Sequence, residues 1–533
     1  MARSAGGGLS LDSQTQPETY PPSPSQKVCY NKYMKSNLII YWVRRDLRLE
    51  DNSALFYAIA KAHTTGAIFA PVFILEDYML EASPESQFGY PQRFLLARAI
   101  PKLTEQFPNF HLIRGKGARS LIELSQIYNL EIFVNQDIYP DFDIQISKIR
   151  EAGIKVNIFA DRLSVNPETR SQNGSLYTVF TPFKKSVWQE FLNLRTLPKP
   201  NLESVNYAST QLISTWQYVE PQTTTIESLF NTKREFRILD TTYDLDQYFD
   251  LPNLSNWYTS ESEALEYFTH YLVSGKLKNY SLNRNSLELD IIDNGQTSRM
   301  SLALAWGFIS ARKLKDEIIK YLNLSVEELS MDNKTSNGAS AYISELIWRE
   351  FYAYLLYHQP NLLNLEFQAQ YRQTMDWMQS KKSQDRFIAW MTGQTGYKIV
   401  DASMQQLAQT GWMHNRSRMI VASVLSKNLG IDWRWGQEYF RASLIDLDEP
   451  SNNGGWQWGA SVGADPKPIR IFNPYLQAEN YDKQGLYQDK WLDQDYYNTV
   501  IEPIIPHPQA RQEAIIRYKQ AKEVYLAGKN SKG

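Results

Sequence analysis

A single cysteine, Cys29, occurs in the 533 residues. Disulfides within the chain are therefore excluded, and so is an iron–sulfur cluster held by four of its own cysteines. No uninterrupted apolar run reaches the roughly 18 residues that a membrane-spanning helix needs, so no span is predicted. An excess of charge of one sign is missing too. The 56 basic and 58 acidic side chains leave a formal net charge of −2. A globally basic nucleic-acid binder is excluded, and any contact with DNA must come from a local patch. No G-x-G-x-x-G follows the first strand-like run, so the dinucleotide fingerprint is absent there.

What the chain has in quantity is aromatic surface: 14 Trp, 33 Tyr and 23 Phe. Such density serves core packing and equally the stacking of bases or a flat cofactor. Residues 1–35 differ from the rest. They hold Gly6-Gly7-Gly8, three prolines between positions 21 and 24, and many Ser and Gln. A disordered leader is predicted, without the apolar stretch of a secretory signal. The expected location is cytoplasmic, nucleoid-associated in a bacterium, with an organellar address in the leader left open.

Over 36–162, short β-branched runs alternate with helical patterns. Leu38–Val43, Ala67–Leu75, Phe110–Ile113, Glu131–Val134 and Val156–Ala160 read as strands. Ser53–Ala62, Gln92–Glu105, Arg119–Tyr128 and Asp143–Ala152 read as helices. The alternation predicts a Rossmann-like, doubly wound parallel sheet covered on both faces, with ligand space beyond the strands' carboxyl ends. Residues 163–250 are rich in Thr, Ser, Asn, Pro and Gln and read as a long linker. From 251 to 533 the periods are helical throughout.

The helical half carries the polar clusters. Asp446-Leu447-Asp448 is followed by Asn452-Asn453-Gly454-Gly455-Trp456-Gln457-Trp458. Asn-Gly runs read as turns and indoles as core. The same residues also suit a pocket that hydrogen-bonds a flat heterocycle and lets backbone approach it. Thr297-Ser298-Arg299-Met300-Ser301 opens a helix and is either an ordinary cap or a pyrophosphate site. Within Ala341–Leu356, Glu345, Trp348 and Arg349 share a face. Asn415, Arg416, Arg418 and Met419 begin another helix, and Arg418 is in reach of Asp446. Trp377, Trp390 and Trp433 join Trp456 as a possible relay of indoles.

These segments together resemble the photolyase/cryptochrome family. Trp42–Asn52, Glu345–Tyr352, Thr395–Tyr397 with Ile399–Ala402, Thr410–Arg418, Trp433–Phe440, Asn452–Trp458 and Arg470–Pro474 carry the match, which runs from about residue 36 to 525. The resemblance implies an α/β domain over 36–162, a linker over 163–250 and an all-helical FAD-binding domain over 251–533. It implies that Tyr280 and Thr297–Ser301 hold the FAD phosphates and ribose. Arg418, Asp446, Leu447, Asp448 and Asn452 would line the isoalloxazine. Six-four repair enzymes use histidines where Asn415 and Met419 stand. Plant-type cryptochromes carry Asp at Asn452, and DASH-type ones Tyr at Trp458. The combination is most like class I cyclobutane pyrimidine dimer photolyases.

The implied activity is light-driven splitting of the dimer, flipped out of damaged DNA, by an electron from reduced anionic FAD. Glu345, Asn415 and Met419 would contact the dimer, with Trp348 and Trp458 packing on it. Arg284, Arg349, Arg416 and Arg470 would hold phosphates. Trp456, Trp433 and Trp377 would form the relay, with Trp390 as an alternative outer member. A second antenna chromophore, a folate, FMN or deazaflavin, is expected in the α/β domain, although Tyr139 stands where the deazaflavin pattern has an acid. A monomer without an obligate protein partner or membrane is expected. The rival is a cryptochrome-type light sensor that binds FAD and repairs nothing; the short stretch after Glu523 counts against it.

Overall fold

Six strands form one sheet: β1 (Asn37–Val43), β2 (Ile68–Leu75), β3 (His111–Arg114), β4 (Asn129–Asn135), β5 (Lys155–Phe159) and β6 (Gln217–Tyr218), in the order β5-β4-β1-β2-β3-β6. The first five are mutually parallel, and β6 runs antiparallel beside β3. The computed structural model describes residues 35–80, 88–209, 211–212, 214–230, 233–292, 295–329, 337–378, 380–464, 469–499 and 501–530. Cys29 and the leader expected over 1–35, Lys35 apart, lie outside the described residues.

Strand side chains alternate between faces, and here both faces are covered, which is why the strands read as continuous apolar runs. Ile39, Tyr41 and Val43 enter one core with the helices Ser53–Thr65 and Tyr90–Thr104. Leu38, Ile40 and Trp42 enter the other with Gly117–Ser125 and Pro140–Glu151. The first helix starts where Asn52 accepts a hydrogen bond from the Leu55 amide, and stops at Gly66, whose φ of 65° suits a residue without Cβ.

The sheet order reverses between β1 and β4, and the loops beyond these strands are where a doubly wound sheet binds ligands. In this chain they are packed. Asn135 Nδ2 donates to Asp46 (2.7 Å) and Asn52 (2.8 Å). The Arg45 guanidinium lies 4.1 Å from the Tyr139 ring centre. A cavity of about 20 Å³ is left among Arg45, Tyr139, Trp306 and their neighbours.

The core under one sheet face continues into the helical half, through Ile343, Ile347, Phe351 and Tyr354 of the helix Asn337–His358. A buried polar layer joins the same parts. Arg48 and Arg312 both donate to Asp161, and Arg312 also donates to Asp51 (2.8 Å). A further core is built from helices beyond Lys381 together with the hairpin β7 (Glu235–Ile238) and β8 (Thr241–Asp244). The stretch 163–250 thus carries elements of its own: strand β6, the hairpin, and the helix Phe180–Asn193, whose Phe183 ring lies 5.2 Å from Phe351.

Candidate functional site

A cavity of about 490 Å³ opens in the helical half. Its floor comes from the helix Glu449–Gly459. Pro450 pre-sets the first turn, and the Asp448 carboxylate caps it by accepting from the Ser451 amide at 3.2 Å. The Asn-Asn-Gly-Gly run is therefore helical rather than a turn. Asn452 and Trp456 fall one turn apart and both face the cavity. Asn452 donates to the Gln437 carbonyl at 3.3 Å, while its own Oδ1 is buried without a partner among the described residues. Glycines allow the tight packing: a Cβ on Gly436 would lie 2.0 Å from the Trp456 ring, and one on Gly454 would lie 2.1 Å from Tyr352.

Two acids stand beside this helix. Asp446 accepts from Arg418 at 3.0 and 2.8 Å, and Arg418 is fixed by a bond from Nε to the Met413 carbonyl (2.8 Å). Asp448 is ion-paired with Arg162, a residue of the segment leaving β5. Burial pushes the Asp448 carboxyl up, but Arg162 and Arg349 outweigh it and hold the group below its ordinary value.

The opposite wall is the helix Asn337–His358, which presents Glu345, Trp348, Arg349 and Tyr352 to the cavity. Their spacing places them along one stripe. Glu345 is ion-paired with Arg284 at the mouth. Burial raises the Glu345 carboxyl, and Arg284 opposes the rise. Trp348 stacks on Phe180 with ring centres 3.6 Å apart. Arg349 turns inward and donates to the Arg162 carbonyl at 2.8 Å. Asn415 is exposed in the cavity, and its amide points at the Met419 sulfur, 3.8 Å away. Trp458 and Ser301 complete the residues named from sequence that line it.

Others stand behind this lining. Tyr280 packs on Tyr342 (5.1 Å), whose hydroxyl bonds Ser298 at 2.7 Å. Among the described residues Thr297 Oγ1 and Arg299 Nε are buried without partners, Arg299 Nη2 bonds Asp290 (3.2 Å), and Met300 is buried. The Leu447 carbonyl accepts from Arg45 at 2.9 Å. Arg416 bonds Asn285 (2.8 Å) and covers Tyr481, and Arg470 lies 5.5 Å over Trp458. Trp377 packs on Tyr518, and Trp433 lies under Arg434. Their backbones adjoin through a Met378–Ile431 bridge. The indole in ring contact with Trp456 is Trp390, at 6.0 Å.

Reading the sequence missed Arg162 and Phe180. Neither carries a local signal, because each reaches the cavity wall from a distant segment.

The chain matches the family described as DNA photolyase over residues 39–202, and the FAD binding domain of DNA photolyase over 342–523. It is 31% identical to the deoxyribodipyrimidine photo-lyase of Vibrio cholerae, over 91% of this chain and 99% of that protein. It is 32% identical to the Synechococcus enzyme of the same name, over 91% and 96%. Its fold is similar to that of a bacterial class III photolyase from Agrobacterium tumefaciens, with a TM-score of 0.71, 29% identity, and 93% and 100% of the chains covered. A cryptochrome from Synechocystis shares the fold at a TM-score of 0.73 and 24% identity, over 91% and 100%.

The cavity suits the flavin of such proteins. It holds two acids facing inward and a buried amide oxygen on Asn452 that, like atoms of Thr297 and Arg299 behind the lining, has no partner among the described residues. Among the described residues, no group of His, Cys, Asp and Glu forms a metal site, and no helix is long and apolar enough to cross a membrane. With its fold, its cavity and its whole-length relatives in agreement, the chain belongs to the DNA photolyase family.

Proposed function

We propose that this chain repairs cyclobutane pyrimidine dimers in DNA, in the manner of class I enzymes. One observation carries the reading: a single cavity has acids and an amide on its floor and Glu345, Trp348, Asn415, Met419 and Trp458 around its mouth. The floor is suited to a flavin ring, and the mouth to two stacked pyrimidines.

Asp446, Asp448 and Asn452 would hold the flavin edge, and Thr297–Ser301 with Tyr280 its phosphates and ribose. FAD, when bound and reduced, supplies the electron that light drives into the dimer. The protein's part is orientation and electrostatics. A damaged pair stacks poorly, so flipping it out costs only a few kcal/mol. Trp348, backed by Phe180, and Trp458 offer apolar faces to the extruded bases. Asn415 can donate to a pyrimidine carbonyl and accept from a ring N–H. Glu345 can accept from a ring N–H once Arg284 releases it. Inside a cavity closed from water by the lesion, these bonds are stronger than at an exposed surface. Arg284 at the mouth, with Arg416 and Arg470 behind the lining, would serve as positioning cations for phosphates. Trp456, with Trp390, Trp433 and Trp377 beyond it, would return the flavin to its reduced form.

The test is blue illumination of the reduced protein with an oligonucleotide containing one thymine dimer. Ultraviolet absorbance of intact thymine should recover with time. A flavin-loaded protein that leaves the absorbance unchanged refutes repair and points to a light sensor.

A further inference from the structure

Arg162 stands outside the cavity, in the segment that leaves β5. Its side chain is 4% exposed. One guanidinium nitrogen pairs with Asp448 Oδ1, and another donates to the Ala305 carbonyl at 2.9 Å. Asp137 lies 3.9 Å from its Nε. The backbone of the same segment is clamped as well. The Arg162 carbonyl accepts from Arg349, and the Ser164 and Val165 amides donate to Glu350 at 2.6 and 3.2 Å. Arg349 and Glu350 belong to the cavity-lining helix, and Ala305 and Asp448 are themselves cavity residues.

Asp448 has little freedom without this partner. Its Oδ2 is engaged by the Ser451 amide and hydroxyl as the cap of the floor helix. Its Oδ1 is aimed by Arg162. A planar guanidinium held at two further points fixes direction in a way a single flexible ammonium does not. Removing it would take away the larger of the two cationic compensations of a buried carboxylate at the edge of the cavity, the other being Arg349.

We propose that Arg162 is a positioning residue of the flavin site: it acts from the α/β layer, through Asp448, to set both the affinity for FAD and the reduction potential of the bound flavin. The inference rests on the placement of Asp448 at the flavin edge. Reduction adds negative charge to the flavin ring. Arg162 compensates Asp448 and so lowers the electrostatic cost of that added charge.

Apoprotein of the full chain, titrated with FAD, tests the idea in four variants: Arg162→Met, Arg162→Lys, Asp448→Asn and the Arg162→Met/Asp448→Asn pair. Arg162→Met should weaken FAD binding at least tenfold and shift the flavin midpoint potential to a more negative value. Arg162→Lys should restore the potential in large part and the affinity only in part. In the Asp448→Asn background, Arg162→Met should have little further effect, because its route is gone. An unchanged potential in Arg162→Met, or an equal loss in both backgrounds, overturns the proposal. Full FAD affinity in Asp448→Asn would instead refute the placement of Asp448 itself. If Arg162→Met does not fold, Arg162→Lys with wild-type potential and wild-type affinity is sufficient to overturn the directional role.

Discussion

Arg284 and Glu345 face each other across the mouth of the cavity and form an ion pair. The two residues are far apart in sequence, Glu345 on the long wall helix and Arg284 in the turn that ends the helix Tyr280–Asn283, so the pair is made only by the fold. It covers the acid that the proposed dimer substrate would meet.

Glu345→Ala should therefore lower repair several-fold while leaving the flavin in place. Arg284 would be freed for phosphate, so DNA binding should fall less than repair. Repair yield per absorbed photon, flavin-to-protein ratio and DNA affinity, measured on one preparation, separate these effects. Unchanged repair would remove Glu345 from the substrate contacts.

The salt dependence of DNA binding should be shallow. Arg349 is turned toward Arg162 and Asp448, which leaves Arg284, Arg416 and Arg470 as the candidate phosphate contacts. Three contacts correspond to a slope of about −3 in log K against log salt on duplex DNA. Binding titrations between low and moderate salt measure it, and a slope twice as steep would mean a wider basic footprint.

Gly454 touches Tyr352 closely enough that a Cβ would overlap the ring, 2.1 Å away. Gly454→Ala should cost about 1–3 kcal/mol through overpacking. Because Tyr352 lines the cavity, the variant should also purify with less flavin. Thermal unfolding and the visible spectrum report the two effects.

His111 is buried with neither ring nitrogen bonded among the described residues, and burial holds its pKa down to about 4. The unfolded chain takes up that proton near 6.5, so stability is lost as pH falls from 6.5 to 4. The loss from this group is on the order of 3 kcal/mol. Asp401, raised by burial to about 6, gives the opposite trend in part of that window. The comparison is therefore with His111→Phe, which keeps a ring beside Tyr218. Denaturant unfolding should show a smaller acid-side loss in the variant.

How far the sequence was legible follows from burial. Strands covered on both faces are apolar from end to end, so the reading of Leu38–Val43 lies within one residue of the observed Asn37–Val43. The long helix read over Ala341–Leu356 extends over Asn337–His358, since its indole, tyrosines and leucines repeat at helical spacing. The run Asn452–Gly455 is harder, because its local preference is a turn. The Asp448 cap and Pro450 impose a helix, and neighbouring rings compensate the glycines by packing on them. The stretch 163–250 hid its elements because β6 has two residues and the hairpin strands four each. Arg162, Phe180 and the Trp390–Trp456 contact join segments far apart in the chain, and no periodicity encodes such meetings.

Asp161 gathers Arg48 from the first layer and Arg312 from the second. Cutting the polypeptide just after this residue would strand Arg312, whose partners Asp51 and Asp161 both precede the cut, and would take from Glu261 the Leu49 and Glu50 amides it accepts from. The C-terminal portion thus leans on counter-charges and amides supplied by the N-terminal one, and expressed by itself it should lose stability.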